Sequence, residues 1–176
     1  MVGKILYTAL IGATALERLV EVSISKRNAA WSLEQGGTEH GQGHYPFMVV
    51  LHTAFLFACV GEVWLLDRAF EPWIGYPALA LAVLCQGLRW WCITTLGKRW
   101  NTRVIIVRNL PRVTGGPYRW IPHPNYLAVA VEGIALPMVH GAYLTAAGFT
   151  LLNAALMRAR IGCENKALSE LEGAGT

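Results

Sequence analysis

Residues 46–66 read PFMVVLHTAFLFACVGEVWLL, an apolar stretch as long as a helix that crosses a bilayer, which needs about 20 residues. The stretch contains one carboxylate, Glu62, and one imidazole, His52. The whole chain has a similar character, since 54% of its 176 residues are hydrophobic and 15% are charged. In an ordinary soluble domain, roughly a quarter of the residues are charged. We therefore predict an integral membrane protein.

Four more apolar windows flank this stretch, at residues 2–23, 72–96, 126–139 and 143–157. The last two are short, so they are either tilted spans or one helical hairpin broken near His140. The first is interrupted by charges where a signal peptide would need small residues, so a helix is favoured. We predict an all-α membrane protein of one domain, residues 1–176, with about five transmembrane helices and four as the alternative. A loop over residues 97–125 and a C-terminal helix over 158–172 complete it.

The cysteines form no CxxC pair, and three of them lie inside predicted spans. This pattern indicates packing residues and predicts neither a metal site nor a disulfide framework. The residues concerned are Cys59, Cys85, Cys92 and Cys163.

Basic residues predict the orientation of the chain. The loop over residues 97–124 is rich in lysine and arginine and contains no acidic residue, so by the positive-inside rule it is cytoplasmic. The N-terminus is then outside and the C-terminus is cytoplasmic, and a loop at Lys26 and Arg27 is also inside. A basic rim that faces anionic lipid head groups accounts for the net charge of +4. Membrane lipids are therefore expected partners and nucleic acid is not. The basic residues of the loop are Lys98, Arg99, Arg103, Arg108, Arg112 and Arg119.

Burying an ionisable side chain in the hydrocarbon of a membrane costs free energy, so the ionisable residues inside the predicted spans should have an ion-pair partner or a functional role. For any single residue a structural ion pair is the ordinary interpretation, such as Arg18 with Glu21 or Arg89 with a neighbouring acid. As a group they lie at one depth, in the inner half of the bilayer, which indicates the lining of a cavity open to the cytoplasm. Glu62, near the outer end of its helix, stands apart. The group comprises Glu17, Arg18, Glu21, His52, Arg89 and Glu132.

Residues 116–126 read GPYRWIPHPNY, and their three prolines fix φ and remove amide donors. We expect no helix before Pro124, and non-helical backbone at membrane depth must be buried by protein or line a wet cavity. The free amides of a helix that begins near Asn125 favour a carboxylate. A rigid connector with interfacial aromatic residues is the alternative. The preceding RVIIV, residues 103–107, alternates and predicts a segment that lies flat or a short extended piece.

The tail that follows the last window reads RARIGCENKAL, residues 158–168. Arg160 and Glu164 lie one turn apart if the helix continues, at the predicted exit from the membrane. The planar guanidinium suits a carboxylate or enolate oxygen, and the carboxylate can accept from a ribose diol.

Two motifs carry a family resemblance. GPYRWIPHPNY resembles GPYr-x-x-RHPxY, and RIGCENKAL resembles R-I-x-x-E-E-x-x-L, which are motifs of the isoprenylcysteine carboxyl methyltransferase family of membrane S-adenosylmethionine enzymes. They occur in the family's order, separated by a helical hairpin. The stretches ERLVEVSISKRNAAWSLEQGGTEHGQGHYPFMVVLH, LGKRWNTRVIIV and AVAVEGIALPM are similar to a bacterial branch associated with type III polyketide synthases. Members of that branch O-methylate alkylpyrones and alkylresorcinols.

The resemblance implies that S-adenosylmethionine is the cofactor and that Glu164 holds its ribose. Arg160 is then expected beside the acceptor oxygen. Two positions depart from the motifs: Pro122 stands where the family has arginine, and Asn165 replaces a second glutamate. No role is carried over to position 122. The implied cofactor-binding residues are Gly116, Tyr118, His123, Asn125, Tyr126 and Glu164.

The acceptor decides whether a base is needed. A prenylcysteine carboxylate is already ionised and needs only Arg160, whereas a phenol with a pKa of about 10 gains from a base. His52, Glu21 and Glu132 are the candidates for that base, so a phenol or enol hydroxyl of a lipophilic molecule is favoured.

Other functions stay open at this stage. They are prenylcysteine carboxyl methylation, an NADPH-dependent membrane reductase and a small transporter or scaffold. Reductases of that kind are usually longer, and the polar residues do not run across the bilayer as in a transporter. The resemblance implies a bacterial inner membrane with the active site facing the cytoplasm. The sequence leaves both a monomer and a homo-oligomer open.

Overall fold

The computed structural model describes residues 1–107, 110–111 and 113–173, with side chains as far as residue 166. The structure is 79% helical, which confirms the all-α architecture. Besides the helices, the described residues contain one antiparallel ribbon of two short strands. The elements are α1 (Val2–Glu34), β1 (Thr38–His40), α2 (Tyr45–Leu65), α3 (Pro72–Leu96), β2 (Val104–Ile106), α4 (Pro124–Met138) and α5 (Tyr143–Gly173).

Two helical segments among the described residues are long and apolar enough to cross a membrane, Gln42–Leu65 and Pro72–Arg99. Only 22% and 28% of their most apolar windows are buried inside the protein. A core helix of a soluble protein would be mostly buried, so these apolar side chains need lipid or another apolar cover. Phe57 and Trp73, at 75% and 76% exposure, are examples. Five spans and their orientation remain predictions.

Two helices extend beyond the apolar windows predicted for them. The first helix does not end at residue 23 but continues to Glu34, so the predicted loop at Lys26 and Arg27 is helical. Its extension is held by Asn28, whose amide donates to the carbonyls of Gly97 at 3.1 Å and Trp100 at 2.8 Å. At the other end of the chain, the predicted helix over residues 158–172 is the continuation of α5.

The last two windows form two separate helices, as expected if they are not one broken segment. The turn between α4 and α5 contains Gly141 with a φ of 69°, and the amide of Ala142 donates to the carbonyl of Pro137 at 2.9 Å. At Gly133 of α4, a Cβ would lie 2.4 Å from the ring of Phe149 on α5. Absence of a side chain there lets the two helices pack closely, as small residues do at helix contacts in membranes.

Glu62 has a structural role that explains its separate position. It accepts hydrogen bonds from the backbone amides of Leu144 at 3.1 Å and Thr145 at 2.7 Å, at the beginning of α5. The hydroxyl of Thr145 and the guanidinium of Arg68 also donate to it, at 2.8 and 2.7 Å. A carboxylate at a helix N-terminus satisfies amides that have no partner within the helix. Glu62 on α2 therefore fixes the start of α5.

The long loop before α4 is partly ordered by short elements. The predicted extended piece forms β2, which pairs with β1 in the register Thr38 to Ile106. The expectation of no helix before Pro124 is wrong for one turn, because Gly116–Arg119 forms a 3-10 helix. Pro117 is accommodated in the first turn of this helix, where its missing amide is not needed. The α-helix itself begins at Pro124.

Candidate active site

A large cavity of about 1150 Å³ lies between α1, α2, α5 and the loop that precedes α4. Both sequence motifs contribute side chains to its wall. The fold therefore brings the two motifs, which are far apart in sequence, to one cavity. The lining residues from the two motifs are Tyr118, Pro122, His123, Pro124, Asn125, Tyr126, Arg160 and Glu164.

A hydrogen bond joins the two motifs directly. The hydroxyl of Tyr126 donates to Oε2 of Glu164 at 2.9 Å. Nδ1 of His123 is 3.8 Å from the same oxygen, and the rings of His123 and Tyr126 are 5.5 Å apart. Among the described residues, Oε1 of Glu164 has no hydrogen-bond donor. One oxygen of this carboxylate is thus fixed while the other can accept from a ligand.

Asn125 and the start of α4 add further polar groups to the wall. The side-chain oxygen of Asn125 is buried and has no hydrogen-bond partner among the described residues. His123, which precedes the helix, makes no capping bond with its side chain. The first-turn amides of Asn125 and Tyr126 therefore lie at a helix N-terminus that favours an anionic group.

Tyr118 is a neutral hydrogen-bonding group in the same wall. Burial, reinforced by the nearby Cys92 and Glu164, raises the pKa of its hydroxyl above the ordinary value. Tyr118 therefore keeps its proton at neutral pH and can donate or accept.

Gly116 belongs to the motif but is not among the described residues that line the cavity. Its φ is 55°, and a Cβ at this position would lie 2.4 Å from the hydroxyl of Thr95. Glycine is needed because it adopts positive φ without a steric penalty. Gly116 thus packs against Thr95 of α3, and its predicted contact with the cofactor stays a prediction.

Arg160 is a buried cation without a carboxylate partner among the described residues. It is 8% exposed, and Nη2 donates to the carbonyl of Thr102 at 2.7 Å. Nη1 lies 2.7 Å from Sδ of Met48, and Nε is buried without a partner. A buried guanidinium without a counter-ion is costly. An anionic oxygen of a ligand in the cavity would supply the counter-ion that Arg160 lacks among the described residues.

His52 presents a free lone pair to the cavity. Its Nδ1 lies 2.9 Å from the carbonyl oxygen of Met48. Because a carbonyl can only accept, Nδ1 carries the hydrogen and Nε2 is left as an acceptor. Among the described residues, Nε2 has no hydrogen-bond partner, and His52 lines the cavity. The ring is held edge-on against Phe149 at 5.3 Å.

The other two candidate bases are occupied by guanidinium groups. Glu21 is 1% exposed and accepts from Arg89 at 2.6 and 2.7 Å and from Arg18 at 2.9 and 3.0 Å. Glu132 lies 3.3 Å from Arg18 and 3.9 Å from Arg89. The expected ion pairs of Arg18 with Glu21 and of Arg89 with an acid are confirmed. Of the three candidates, the geometry favours His52 as a base.

Several contacts at the site were not expected from the sequence. Gln86 accepts from Arg18 at 2.6 Å and donates to Glu17, which also accepts from the indole of Trp90. Thr102 contacts Arg160 through its backbone carbonyl. Because every residue has this group, the residue type at position 102 could not have indicated the contact. The motif departure Asn165 is exposed, next to the half-buried Glu164. Arg108 and Arg112 of the basic loop lie outside the described residues.

Comparison with known proteins agrees with this arrangement. Residues 78–170 match the model of the isoprenylcysteine carboxyl methyltransferase (ICMT) family. The uncharacterized protein YpbQ of Bacillus subtilis is 34% identical over 166 residues, which cover 94% of this chain and 98% of that protein. An uncharacterized protein of Haemophilus influenzae is 24% identical over 155 residues, covering 88% and 90% of the two chains. The chain therefore belongs to the ICMT family, whose members are methyltransferases.

Proposed function

We propose that the chain is an S-adenosylmethionine-dependent O-methyltransferase that acts, within the membrane, on the phenol or enol hydroxyl of an alkylresorcinol or alkylpyrone. Family membership supports methyl transfer and this cofactor. The observation that carries the choice of a hydroxyl is the Nε2 lone pair of His52 in the cavity wall. A carboxylate acceptor would need no such base.

The side chains of the two motifs fit the cofactor. Oε1 of Glu164 can accept from a ribose diol, because Tyr126 holds the other oxygen. The buried, unpartnered oxygen of Asn125 can accept from an ammonium, and the first-turn amides of α4 can donate to a carboxylate. When bound, S-adenosylmethionine supplies an electrophilic methyl group. His123 and Tyr118 complete the polar wall around it.

Met48 brings the two acceptor-side groups together. Its carbonyl accepts from His52, and its sulfur contacts Arg160. We propose that Arg160 orients the acceptor oxygen and stabilises the charge on it, while Nε2 of His52 takes the proton. The protein's remaining contribution is to hold the acceptor oxygen in line, which is the main source of catalysis in such a transfer.

We extend the proposal to the topology and location of the chain. The family and the two apolar helices indicate a membrane protein. Five spans, an external N-terminus and a cytoplasmic C-terminus in a bacterial inner membrane are supported by the basic loop before α4. Lys98, Arg99, Arg103 and Arg119 are its basic residues within the described part of the chain.

Ligand binding tests the cofactor. We expect the protein, purified in detergent, to bind S-adenosylhomocysteine but not NADPH in calorimetry. Glu164→Ala is expected to weaken that binding about tenfold or more, since a hydrogen bond to a charged group contributes about 1.5–3 kcal/mol. His123→Ala should weaken it less, because His123 supports Glu164 from 3.8 Å. Arg158→Ala, an exposed position on the same helix, is the control. Binding of NADPH alone would contradict the proposal and favour a reductase.

Removal of the base separates the two acceptor classes. His52→Gln is expected to slow methyl transfer to an alkylresorcinol about 100- to 10,000-fold, the usual contribution of a general base. The rate should recover as the pH approaches about 10, where a phenol ionises without help. Labelled methyl transfer, measured from pH 6 to about 10, provides the test.

Two controls complete this experiment. His40→Gln, on β1 and outside the large cavity, should leave the rate unchanged. A farnesylcysteine analogue tests the alternative acceptor. Preferred transfer to that analogue by the wild-type protein, unaffected by His52→Gln, would favour carboxyl methylation.

A further inference from the structure

The cavity continues from the level of Arg18 and His52 toward the outer ends of α1 and α2, and this outer part we call the tail groove. We propose that the tail groove holds the aliphatic tail of the acceptor and, when this tail is extended, fits a length of about twelve carbons. The inference rests on the proposed function for the head group at the inner end. It adds which helices hold the tail and which residues determine its length.

The lining of the tail groove is apolar or weakly polar. On each helix the lining positions recur every three or four residues, which places them on one face. Beyond Arg18 in the outward direction, no charged residue is among the described residues of the lining. The cavity thus has a charged inner end and an apolar outer end, as an amphiphilic molecule requires. The residues are Thr8, Ile11, Gly12 and Ala15 on α1 and Thr53, Leu56, Phe57 and Val60 on α2.

Arg160 indicates that the inner end receives a ligand. Its guanidinium is nine-tenths buried, lines the cavity and has an unpartnered Nε. A resident phospholipid would have to carry its phosphate this deep between the helices, beside His52. An acceptor with a small phenolic head fits the combination of a cation, a neutral imidazole and an apolar extension of the cavity.

The described lining of the tail groove ends at Thr8 on α1 and Val60 on α2, and a hydrogen bond joins the two helices at this level. Nε1 of Trp64 on α2 donates to the hydroxyl of Thr8 on α1 at 3.0 Å. Thr8 precedes Arg18 by ten residues, a length of about 15 Å along a helix. Because a carbon–carbon bond is about 1.5 Å long, an extended chain advances about 1.25 Å per carbon and fills this length with about twelve carbons.

Gly12 offers a direct way to block the tail groove. It lines the groove, and no atom lies within 4 Å of the position that its Cβ would take. Phenylalanine at this position would project into the space that the tail needs. Gly87 on α3 is a matched control, since its Cβ position is equally open and it does not line the described cavity.

Photo-crosslinking locates the tail without any need for the cofactor. The probes are alkylresorcinols with a diazirine at the end of a tail of about six or about twelve carbons, and the full chain is held in lipid nanodiscs. Mass spectrometry should find the longer probe near Thr8 and Val60 and the shorter one near Ala15 and Leu56. Gly12→Phe should remove most outer labelling by the longer probe and keep the label of the shorter one. Gly87→Phe should retain both labels.

Three results would overturn the inference. The first is labelling on α3 or α4 in place of α1 and α2, and the second is an outer label that Gly12→Phe leaves unchanged. The third is equal labelling of the groove by a phosphatidylcholine with the same diazirine on an acyl chain, which would identify a general lipid seam. Methyl transfer by the wild-type protein is measured separately. If the probes label the tail groove but no methyl transfer is measured, the inference is supported and the proposed function is contradicted. If methyl transfer is measured but the outer label is absent, the proposed function is supported and the inference is contradicted.

Discussion

Arg160→Ala is expected to lower methyl transfer to an alkylresorcinol by about 100- to 1000-fold, the usual cost of removing a group that stabilises a developing oxyanion. The guanidinium is buried in the cavity wall and has no carboxylate partner among the described residues. Its charge is therefore available to the acceptor oxygen. Binding of S-adenosylhomocysteine should be largely kept, because Glu164, Tyr126 and Asn125 are not altered. Initial rates with labelled methyl donor, together with calorimetry, provide the measurement.

Two further variants sharpen this test. Arg158→Ala removes an exposed arginine from the same helix and should retain the rate. Arg160→Lys keeps the charge but loses the planar fork that contacts Thr102 and Met48, so it should restore only part of the rate. Loss of cofactor binding in Arg160→Ala would place this residue in the cofactor site and contradict its assignment to the acceptor.

Glu21→Ala is expected to lower the free energy of unfolding by about 3–5 kcal/mol, the cost of removing one partner from a buried ion pair. Glu21 accepts from Arg89 and Arg18 together, and both guanidiniums would lose their nearest carboxylate. Thermal unfolding of the purified protein, followed by tryptophan fluorescence, measures the change. Glu34→Ala, exposed near the end of the same helix, is the control and should unfold as the wild type does.

A double substitution distinguishes the ion pair from simple packing at this position. Replacing Glu21 and Arg89 together by methionine removes both buried charges, so it should be less damaging than Glu21→Ala alone. Unchanged stability of Glu21→Ala would show that Arg18 and Arg89 find enough support in Glu132, and it would contradict the structural role given to Glu21.

The positions of the helices were predictable where hydropathy alone determines them. The window at 46–66 became α2, Tyr45–Leu65, and the window at 72–96 became α3 with the same bounds. The end of α1 was not predictable in this way. Its last turns contain charged and polar residues and are held by Asn28 on the loop at Gly97 and Trp100. Hydropathy predicts the apolar part of a helix, whereas the polar last turns of α1 are supported by tertiary hydrogen bonds such as those of Asn28.

The candidate site was likewise predictable in part from the sequence. The motifs identified residues that line one cavity, including His123, Tyr126 and Glu164. They could not show that Gly116 packs against Thr95 away from the lining, because this depends on how the loop folds onto α3. Glu21 was a candidate base, and its pair with Arg18 on the same helix was expected, but its second guanidinium partner, Arg89, comes from α3 and could not be read from sequence spacing. The type of a residue indicates which reactions its side chain can support. The hydrogen-bond and ion-pair partners of that side chain decide whether it is free to do so.

Glu62 links the chemistry of the site to the distant N-terminal end of α5. This carboxylate on α2 binds the first amides of α5, and these two helices carry the proposed base and the proposed oxyanion ligand. Thr145 lies fifteen residues before Arg160, about 22 Å away along the helix. A shift of α5 at that distant end would slide Arg160 past His52 without any change in the cavity residues themselves. This contact lies outside the described lining of the cavity, and we expect it to contribute to the alignment of Arg160 with His52.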